Sequence, residues 1–343
     1  MIGNDVLDFF DYLSLAGGVS LFLFGMKYLT LQAQAAAGEN LRKRLVEFTG
    51  NKYRGFLFGF FATAFIQSSS AVTSALTQFV GASVLPLENA AGIIIGSNVG
   101  TTATSWLTGV AGIKSDIPFF RFLNTLSLAS VFSVSGIIVY HIGIKNKKRN
   151  FYAGMIFGFA MIMYGLFFMS DSAQELKTEE RALRLFSELS KPAAGFIAGL
   201  AVAALTQSSS VSIGILQSVS LTGALSIFSC VPIILGQNVG ACVTALAACV
   251  SGNKSSKAAA LIHLYFNLFS SALFYALMIT AVKFFEVDIF YIQANSINIA
   301  VVHTAFNIFA AAVMMPFASQ LQEAAFRTVD KCAEYRSCFR RRR

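Results

Sequence analysis

The sequence Gln-Ser-Ser-Ser occurs twice in this chain, at residues 67–70 and again at residues 207–210. Each copy lies within a long apolar stretch, where consecutive polar residues are costly because they need hydrogen-bond partners. A second polar island follows each copy, at Gly96–Gly100 in the first case and at Gly236–Gly240 in the second. The interval from the first serine motif to the second equals the interval between the two islands, so we expect one site built from two related halves.

Composition places the chain in a membrane. Of its 343 residues, 55% are hydrophobic and only 13% are charged, whereas soluble domains carry roughly 25% charged residues. The apolar segments are too numerous for a single membrane anchor. Segments such as residues 151–169 lack the alternation of a membrane β-strand. We therefore predict an all-α polytopic membrane protein.

The net charge of +9 does not indicate nucleic-acid binding, because the basic residues lie in short loops and in a tail that ends in four arginines. This distribution is typical of topology determinants and of contacts with anionic lipids. The five cysteines show no metal-binding spacing and predict no disulfide framework. We expect membrane lipids as partners, no nucleic acid and no cofactor.

The duplication extends far beyond the serines. When the two serine motifs are superposed without any gap, Gly18 aligns with Gly158 and Gly25 aligns with Gly165. Each repeat is expected to contain a membrane helix, a surface helix (about 38–52 and 175–190), an apolar segment broken at the serines, a segment with the polar island (87–111 and 227–250) and a closing membrane helix. The predicted divisions are residues 1–145 and 146–285 for the two repeats, 286–320 for an additional transmembrane helix and 321–343 for a basic cytoplasmic tail.

Loop charges predict the orientation of the repeats. The loop at residues 34–54 has five basic and two acidic residues, whereas its counterpart at residues 174–194 has four of each. The positive-inside rule places the first loop in the cytoplasm and permits the second outside. The charges of all the loops agree with this rule if each QSSS segment is a re-entrant hairpin that returns to the side from which it entered. We therefore predict inverted repeats, seven full crossings, an external N-terminus and a cytoplasmic C-terminus.

A chain break at each QSSS would free backbone N–H groups at the start of the following helix. The positive end of the helix dipole attracts anions there, and serine hydroxyls and glutamine amides both donate and accept hydrogen bonds. Two such tips, entering from opposite sides, would form one midplane site for a small anion and alkali cations. The opposing interpretation is that the serines cap their own backbone or mediate helix packing. Their duplication in register favours the shared site.

Further polar motifs follow the serines. Asn98 and Asn238 lie within the polar islands, where a buried amide needs a partner. A His-x-x-Phe-Asn motif also occurs twice, with its His and Asn on one helix face, and its Asn alone has a counterpart in the first repeat. Locking of buried helices is at least as good an explanation of this motif as ligand binding. The residues to which we assign a supporting role are Asn124, His263, Asn267, His303 and Asn307.

Together these motifs resemble the type II sodium-dependent phosphate cotransporter family, including its bacterial members. The resemblance spans residues 10–317 and implies sodium-coupled symport of inorganic phosphate across the plasma membrane by alternating access, with Na+ as the coupling ion. The implied phosphate ligands are Gln67, Ser68, Ser69, Ser70, Gln207, Ser208, Ser209 and Ser210. The implied sodium ligands are Thr73, Asn98, Thr101, Thr102, Ser212 and Asn238.

The two halves differ after the polar island. Gly100 is followed by Thr101 and Thr102, whereas Gly240 is followed by Ala241 and Cys242. Hydroxyl ligands after the island are therefore expected in the first half only.

Other functions remain open at this point. A phosphate exporter, or a carrier of another small oxyanion such as sulfate, fits the same residues. An intramembrane hydrolase using a serine with His263 or His303 is disfavoured, because no Gly-x-Ser-x-Gly elbow occurs and no acidic residue is placed to orient a histidine. A channel is not excluded, and a homodimer is left undetermined.

Overall fold

The computed structural model describes residues 9–37, 51–111, 125–143, 147–175, 180–285 and 288–341. In this part of the chain the only β-type pairing is an isolated bridge between Ser226 and Gln293, and nearly everything else is helical. The helices are α1 (Phe9–Ala37), α2 (Lys52–Ile66), α3 (Ser69–Gly81), α4 (Leu87–Ala111), α5 (Thr125–Gly143), α6 (Lys147–Glu175), α7 (Glu180–Leu189), α8 (Pro192–Thr206), α9 (Ser209–Ser220), α10 (Ile227–Gly240), α11 (Cys242–Ala248), α12 (Lys254–Phe285), α13 (Ser296–Met314) and α14 (Ala318–Arg341), with a 3-10 helix at Asp288–Tyr291. The predicted all-α fold is confirmed.

Five helical stretches among the described residues are long and apolar enough to cross a membrane. They are Leu13–Ala36, Arg149–Met169, Ile227–Ala248, Lys254–Phe284 and Ser296–Met314. The chain is therefore a membrane protein with several candidate spanning helices. Shorter apolar stretches lie in α5 and α8. The count of seven full crossings stays a prediction.

Helices α1 and α6 pack antiparallel at a crossing made by glycines. A Cβ atom on Gly18 would lie 3.1 Å from the carbonyl oxygen of Gly165, and one on Gly25 would lie 3.0 Å from that of Gly158. Small residues allow two helix backbones to approach this closely. The contact is reciprocal, because Gly158 and Gly165 are the repeat counterparts of Gly18 and Gly25.

Helices α2 and α4 run parallel to each other in equally close contact. A Cβ atom placed on Gly96 would overlap the Phe56 carbonyl oxygen, and one placed on Gly100 would lie 2.5 Å from that of Phe60. Such proximity excludes any side chain, so the glycines of the polar island are packing residues. Helices α8 and α10 repeat this contact, since a Cβ atom on Gly236 would overlap the carbonyl oxygen of Phe196.

We call the two ends of the bundle the first end and the second end. At the first end, α2 begins beside the end of α13, where Lys52 Nζ donates to the Met315 carbonyl oxygen at 3.4 Å. Helix α3 also finishes there. Asn253 Nδ2, just before α12, donates to the Gly81 carbonyl oxygen at 2.6 Å, and the neighbouring Lys254 pairs with Asp330 of α14, which also contacts the start of α4 through Gln322. The α2–α3 pair therefore enters and leaves at the first end.

At the second end, α10 begins and α4 finishes. The backbone N–H of Ile227 donates to the Ile292 carbonyl oxygen at 3.1 Å. A Cβ atom on Gly109, near the end of α4, would lie 3.1 Å from the carbonyl oxygen of Ser296 at the start of α13. Since α8 runs parallel to α10, it starts at this end, and the α8–α9 pair enters from the side opposite to α2–α3.

Several predicted boundaries differ from the structure. The segment predicted at residues 227–250 divides at Ala241 into α10 and α11. Residues 321–341 were predicted as part of a tail but continue α14, whose buried Leu321, Ala325 and Val329 pack against the bundle. Tyr265 Oη and Thr328 Oγ1 lie 2.7 Å apart across that contact. The first predicted surface helix lies largely outside the described residues, and α7 matches its counterpart.

Candidate substrate and ion site

Both QSSS sequences interrupt a helix in the same way. Gln67 has φ 59° and ψ 27°, and Gln207 has φ 53° and ψ 26°. This left-handed conformation ends α2 and α8, and for a residue other than glycine it costs about 1–2 kcal/mol. Ser68 and Ser208 then cap the next helices, since their Oγ atoms accept from the N–H groups of Ala71 and Val211 at 3.2 and 3.3 Å.

The two interruptions meet inside the protein. Ser69 Oγ and Ser209 Oγ lie 3.2 Å apart, and both side chains are buried. The N-termini of α3 and α9 therefore face one small region from opposite directions. The first N–H groups of each helix have no carbonyl partner within the helix, and the helix dipole places partial positive charge there. This arrangement can bind an anion without any charged side chain.

Gln67 and Ser210 are joined through a residue on α4. Thr104 Oγ1 donates to Gln67 Oε1 at 2.8 Å and lies 3.3 Å from Ser210 Oγ. Ser210 Oγ also lies 3.4 Å from the Gln67 carbonyl oxygen, and the Gln67 amide donates to the Ala64 carbonyl oxygen. One buried network thus links α2, α4 and α9.

The corresponding glutamine of the second half has different surroundings. Gln67 is buried, whereas Gln207 is exposed. Thr244, which corresponds to Thr104, reaches only the backbone oxygen of Gln207, at 3.4 Å. The site is therefore symmetric in its backbone and asymmetric in its side chains.

The eight predicted phosphate ligands fall into four groups by their surroundings. Gln67, Ser69, Ser209 and Ser210 lie in direct mutual contact or one residue apart. Ser68 and Ser208 serve as helix caps, and Gln207 is exposed. Ser70 is buried, and its Oγ has no hydrogen-bond partner among the described residues.

The six predicted sodium ligands are all buried. Thr73, Thr101 and Thr102 donate to carbonyl oxygens of their own helices at 2.9, 3.1 and 2.8 Å. A hydroxyl that donates in this way keeps lone pairs for a cation. Asn98 and Asn238 donate through Nδ2 to the carbonyl oxygens of Ile94 and Ile234 at 2.9 and 2.8 Å. Ser212 Oγ is without a partner in the described structure.

The predicted supporting residues lie on α12 and α13, except for Asn124, which is outside the described residues. Asn267 and Asn307 donate to the carbonyl oxygens of His263 and His303 at 3.0 and 2.8 Å. His303 Nδ1 contacts Ser105 Oγ at 3.2 Å. All four are buried at helix contacts, which agrees with the helix-locking alternative.

Sequence reasoning missed Thr104 as a site residue and also missed a second buried amide on α9. The side chain of Gln217 donates to the carbonyl oxygens of Ser105 and Ser296 at 2.8 and 2.9 Å and accepts from the hydroxyl of Thr108. The spacing of Thr101, Thr104 and Thr108 along α4 places them on one helix face, and this was the available signal.

The comparisons with known proteins decide the family. The sequence profile of the family described as Na+/Pi-cotransporter matches residues 21–171 and again residues 162–315. The chain belongs to the Na+/Pi-cotransporter family. The predicted resemblance is confirmed, and family membership supports sodium-dependent phosphate transport over enzymatic activity.

Relatives of this Na+/Pi-cotransporter family member differ in the length over which their sequences match the chain. An uncharacterized protein of Bacillus subtilis, YqeW, is 30% identical over 272 residues, which cover 78% of this chain and 83% of that protein. Human sodium-dependent phosphate transport protein 2B is 36% identical over 92 residues, covering 26% of this chain and 13% of its own length. Human sodium-dependent phosphate transport protein 2C is 28% identical over 137 residues, which cover 34% of this chain and 22% of that protein. No solved structure matches the chain.

Proposed function

We propose that this protein is a symporter that couples Na+ entry to uptake of inorganic phosphate across the plasma membrane by alternating access. The observation that carries the proposal is the contact between Ser69 and Ser209, whose Oγ atoms lie 3.2 Å apart at the start of two opposed helices. Family membership supports the choice of phosphate and sodium. No cofactor is needed, because Na+ supplies the coupling.

The chemistry of this region suits phosphate. Two helix N-termini, serine hydroxyls and the amide of Gln67 all offer hydrogen-bond donors to an oxyanion. The predicted sodium ligands on α3, α4, α9 and α10 offer hydroxyl and amide oxygens, which are the hard donors that an alkali cation requires. Bound Na+ would offset the charge of phosphate in a region of low dielectric, where an unpaired ion is costly.

The packing supports inverted repeats with two re-entrant hairpins. The reciprocal glycine contacts of α1 and α6 are those of a two-fold relation between antiparallel partners. The α2–α3 and α8–α9 pairs enter from opposite ends, and the basic residues Lys52, Arg54 and Lys254 lie at the first end. We infer that the first end is cytoplasmic, with the N-terminus outside and the C-terminus inside.

Coupling to sodium provides enough free energy for uptake. One Na+ ion moving down a tenfold gradient contributes about 1.4 kcal/mol. Two ions moving with one divalent phosphate carry no net charge, so they support about a hundredfold accumulation without help from the membrane potential. Each additional net charge would add about 2.3 kcal/mol per 100 mV.

Uptake of labelled phosphate into proteoliposomes tests the proposal. An inward Na+ gradient should drive accumulation, and an equal K+ gradient should not. Gln67→Ala and Gln207→Ala should each abolish the sodium-driven part, with Ser130→Ala on the exposed side of α5 as the control. Uptake that ignores the Na+ gradient, or that sulfate competes away, would contradict the proposal. Sodium-driven efflux alone would indicate an exporter.

A further inference from the structure

Gln217 ties three helices together between the serines and the second end. Its amide donates to the carbonyl oxygens of Ser105 on α4 and Ser296 at the start of α13, at 2.8 and 2.9 Å. Its Oε1 accepts from the hydroxyl of Thr108. Both N–H groups of the amide are thus used, and the side chain is only 1% exposed. This buried amide therefore closes the gap between α4, α9 and α13.

The equivalent place near the first end is a cavity. Thr77 is the repeat counterpart of Gln217, and Ala248 is the repeat counterpart of Thr108. Instead of bonding to each other, Thr77 and Ala248 line a space of about 230 Å³ whose wall also contains Gln78, Asn253 and Ser256. The wall carries hydroxyl and amide groups among apolar surface and no charged side chain, so it offers hydrogen-bond partners to the water around an ion.

Both positions lie on the way out from the serines. Thr77 follows Ser70 by seven residues along α3, and Gln217 follows Ser210 by seven along α9. Seven residues are two helical turns, or about 10 Å, so each position shares a helix face with its serine. Two turns from the serine, the equivalent position is thus hydrogen-bonded on the side of the second end and lines a cavity on the side of the first end.

We propose that Gln217 and Thr108 form the gate that closes the second end, while the cavity at Thr77 and Ala248 is the vestibule through which hydrated phosphate and Na+ leave at the first end. This inference rests on the proposed transport function. Neutral hydrogen bonds suit a gate, because water can replace each of them when the helices separate. Opening to the second end requires the bonds of Gln217 to break.

Thiol labelling from each side of the membrane tests the gate without relying on transport. In a background with the five native cysteines replaced, Ile213→Cys reports on a buried position of α9 between Ser210 and Gln217. Ala248→Cys lies on the wall of the cavity at the first end and is exposed. A membrane-impermeant maleimide should label Ala248→Cys from the first end and leave Ile213→Cys protected from the second.

Opening the gate should change only one of these reporters. Gln217→Leu removes all three hydrogen bonds and should raise labelling of Ile213→Cys from the second end at least fivefold. Thr108→Val removes one bond and should act in the same direction more weakly, so a poorly folded Gln217→Leu leaves the test intact. Gln78→Leu is the matched control and should leave this labelling unchanged.

Two results would overturn the gate: equal labelling of Ile213→Cys with and without Gln217→Leu and Thr108→Val, or a rise of the same size with Gln78→Leu. Phosphate uptake into vesicles by the Ile213→Cys protein with Gln217 and Thr108 intact reports separately on the proposed function. No uptake in those vesicles, with labelling that still rises in Gln217→Leu, would leave the gate standing and contradict phosphate transport.

Discussion

Ser69 and Ser209 occupy equivalent positions in the two halves of the chain, and their hydroxyl oxygens lie 3.2 Å apart. Residues that correspond to each other can touch in this way only near the axis that relates the two halves. The contact therefore lies between the repeats, and each half supplies one wall of the candidate site. A movement of one half against the other would change this region first.

Removing either hydroxyl should impair transport. A hydrogen bond to a charged group is worth about 1.5–3 kcal/mol, so Ser69→Ala and Ser209→Ala should each lower sodium-driven phosphate uptake at least about tenfold at low phosphate. Because the two hydroxyls share one contact, the double variant should lose less than the two single losses combined. Initial uptake rates in proteoliposomes measure this, and near-normal uptake in both single variants would contradict the shared site.

Thr104 is expected to matter more than its counterpart in the second half. Thr104→Val keeps the shape of the side chain but leaves buried Gln67 Oε1 without its donor at 2.8 Å. An unsatisfied buried acceptor costs about 1–3 kcal/mol, so uptake should fall about tenfold. Thr244→Val is the matched control, because its hydroxyl makes a 3.4 Å contact beside an exposed glutamine. Equal losses in the two variants would contradict the asymmetry of the site.

The sequence was sufficient to predict features that depend on local signals. Helix α4 begins and ends at the predicted residues 87 and 111, and both helix interruptions fall at the predicted QSSS. These features follow from polar islands in apolar surroundings and from the duplication, which are visible without any partner helix.

Features that depend on which helix faces meet were not predicted. The two QSSS copies have identical letters, yet Gln67 is buried against Thr104 whereas Gln207 is exposed. Thr104 and Gln217 acquire their roles only where α9 crosses α4, and the row of threonines on one face of α4 does not show which helix packs against it. The packing of α14 against the bundle was not predicted for a similar reason. Its sequence is rich in charged residues, and only the narrow stripe of Leu321, Ala325 and Val329 is apolar and buried.

Substitution of Ser212 should change sodium binding without changing the stability of the protein. Its hydroxyl is buried and has no partner among the described residues, so Ser212→Ala loses no protein hydrogen bond and should leave thermal stability without Na+ unchanged. If the hydroxyl binds sodium, the Na+ concentration for half-maximal uptake should rise severalfold, and the stabilisation by added Na+ should shrink. Ser271→Ala, which removes another unpartnered buried hydroxyl, is the control. An unchanged sodium dependence in Ser212→Ala would exclude it as a ligand.

The packing of α14 should depend on its apolar face and not on its exposed ion pair. Lys254 Nζ and Asp330 Oδ1 lie 2.6 Å apart, but their side chains are 63% and 50% exposed, so Asp330→Asn should cost less than about 1 kcal/mol. Ala325 is fully buried, and Ala325→Phe should cost about 1–3 kcal/mol through overpacking. Melting temperatures in detergent compare the two, and a larger loss in Asp330→Asn would reverse this assignment.

The glycines of the polar island should be required for folding. A Cβ atom on Gly96 would overlap the carbonyl oxygen of Phe56, and neither backbone can yield without separating α2 from α4. Gly96→Ala should therefore lower the melting temperature strongly or prevent folding. Gly17→Ala on α1 is the matched control, since nothing lies within 4 Å of its Cβ position and alanine favours a helix by about 0.5–1 kcal/mol. Expression and melting temperature of the two variants in detergent decide the matter. A well-folded Gly96→Ala protein with the parent's stability would mean that α2 and α4 do not approach as closely as described.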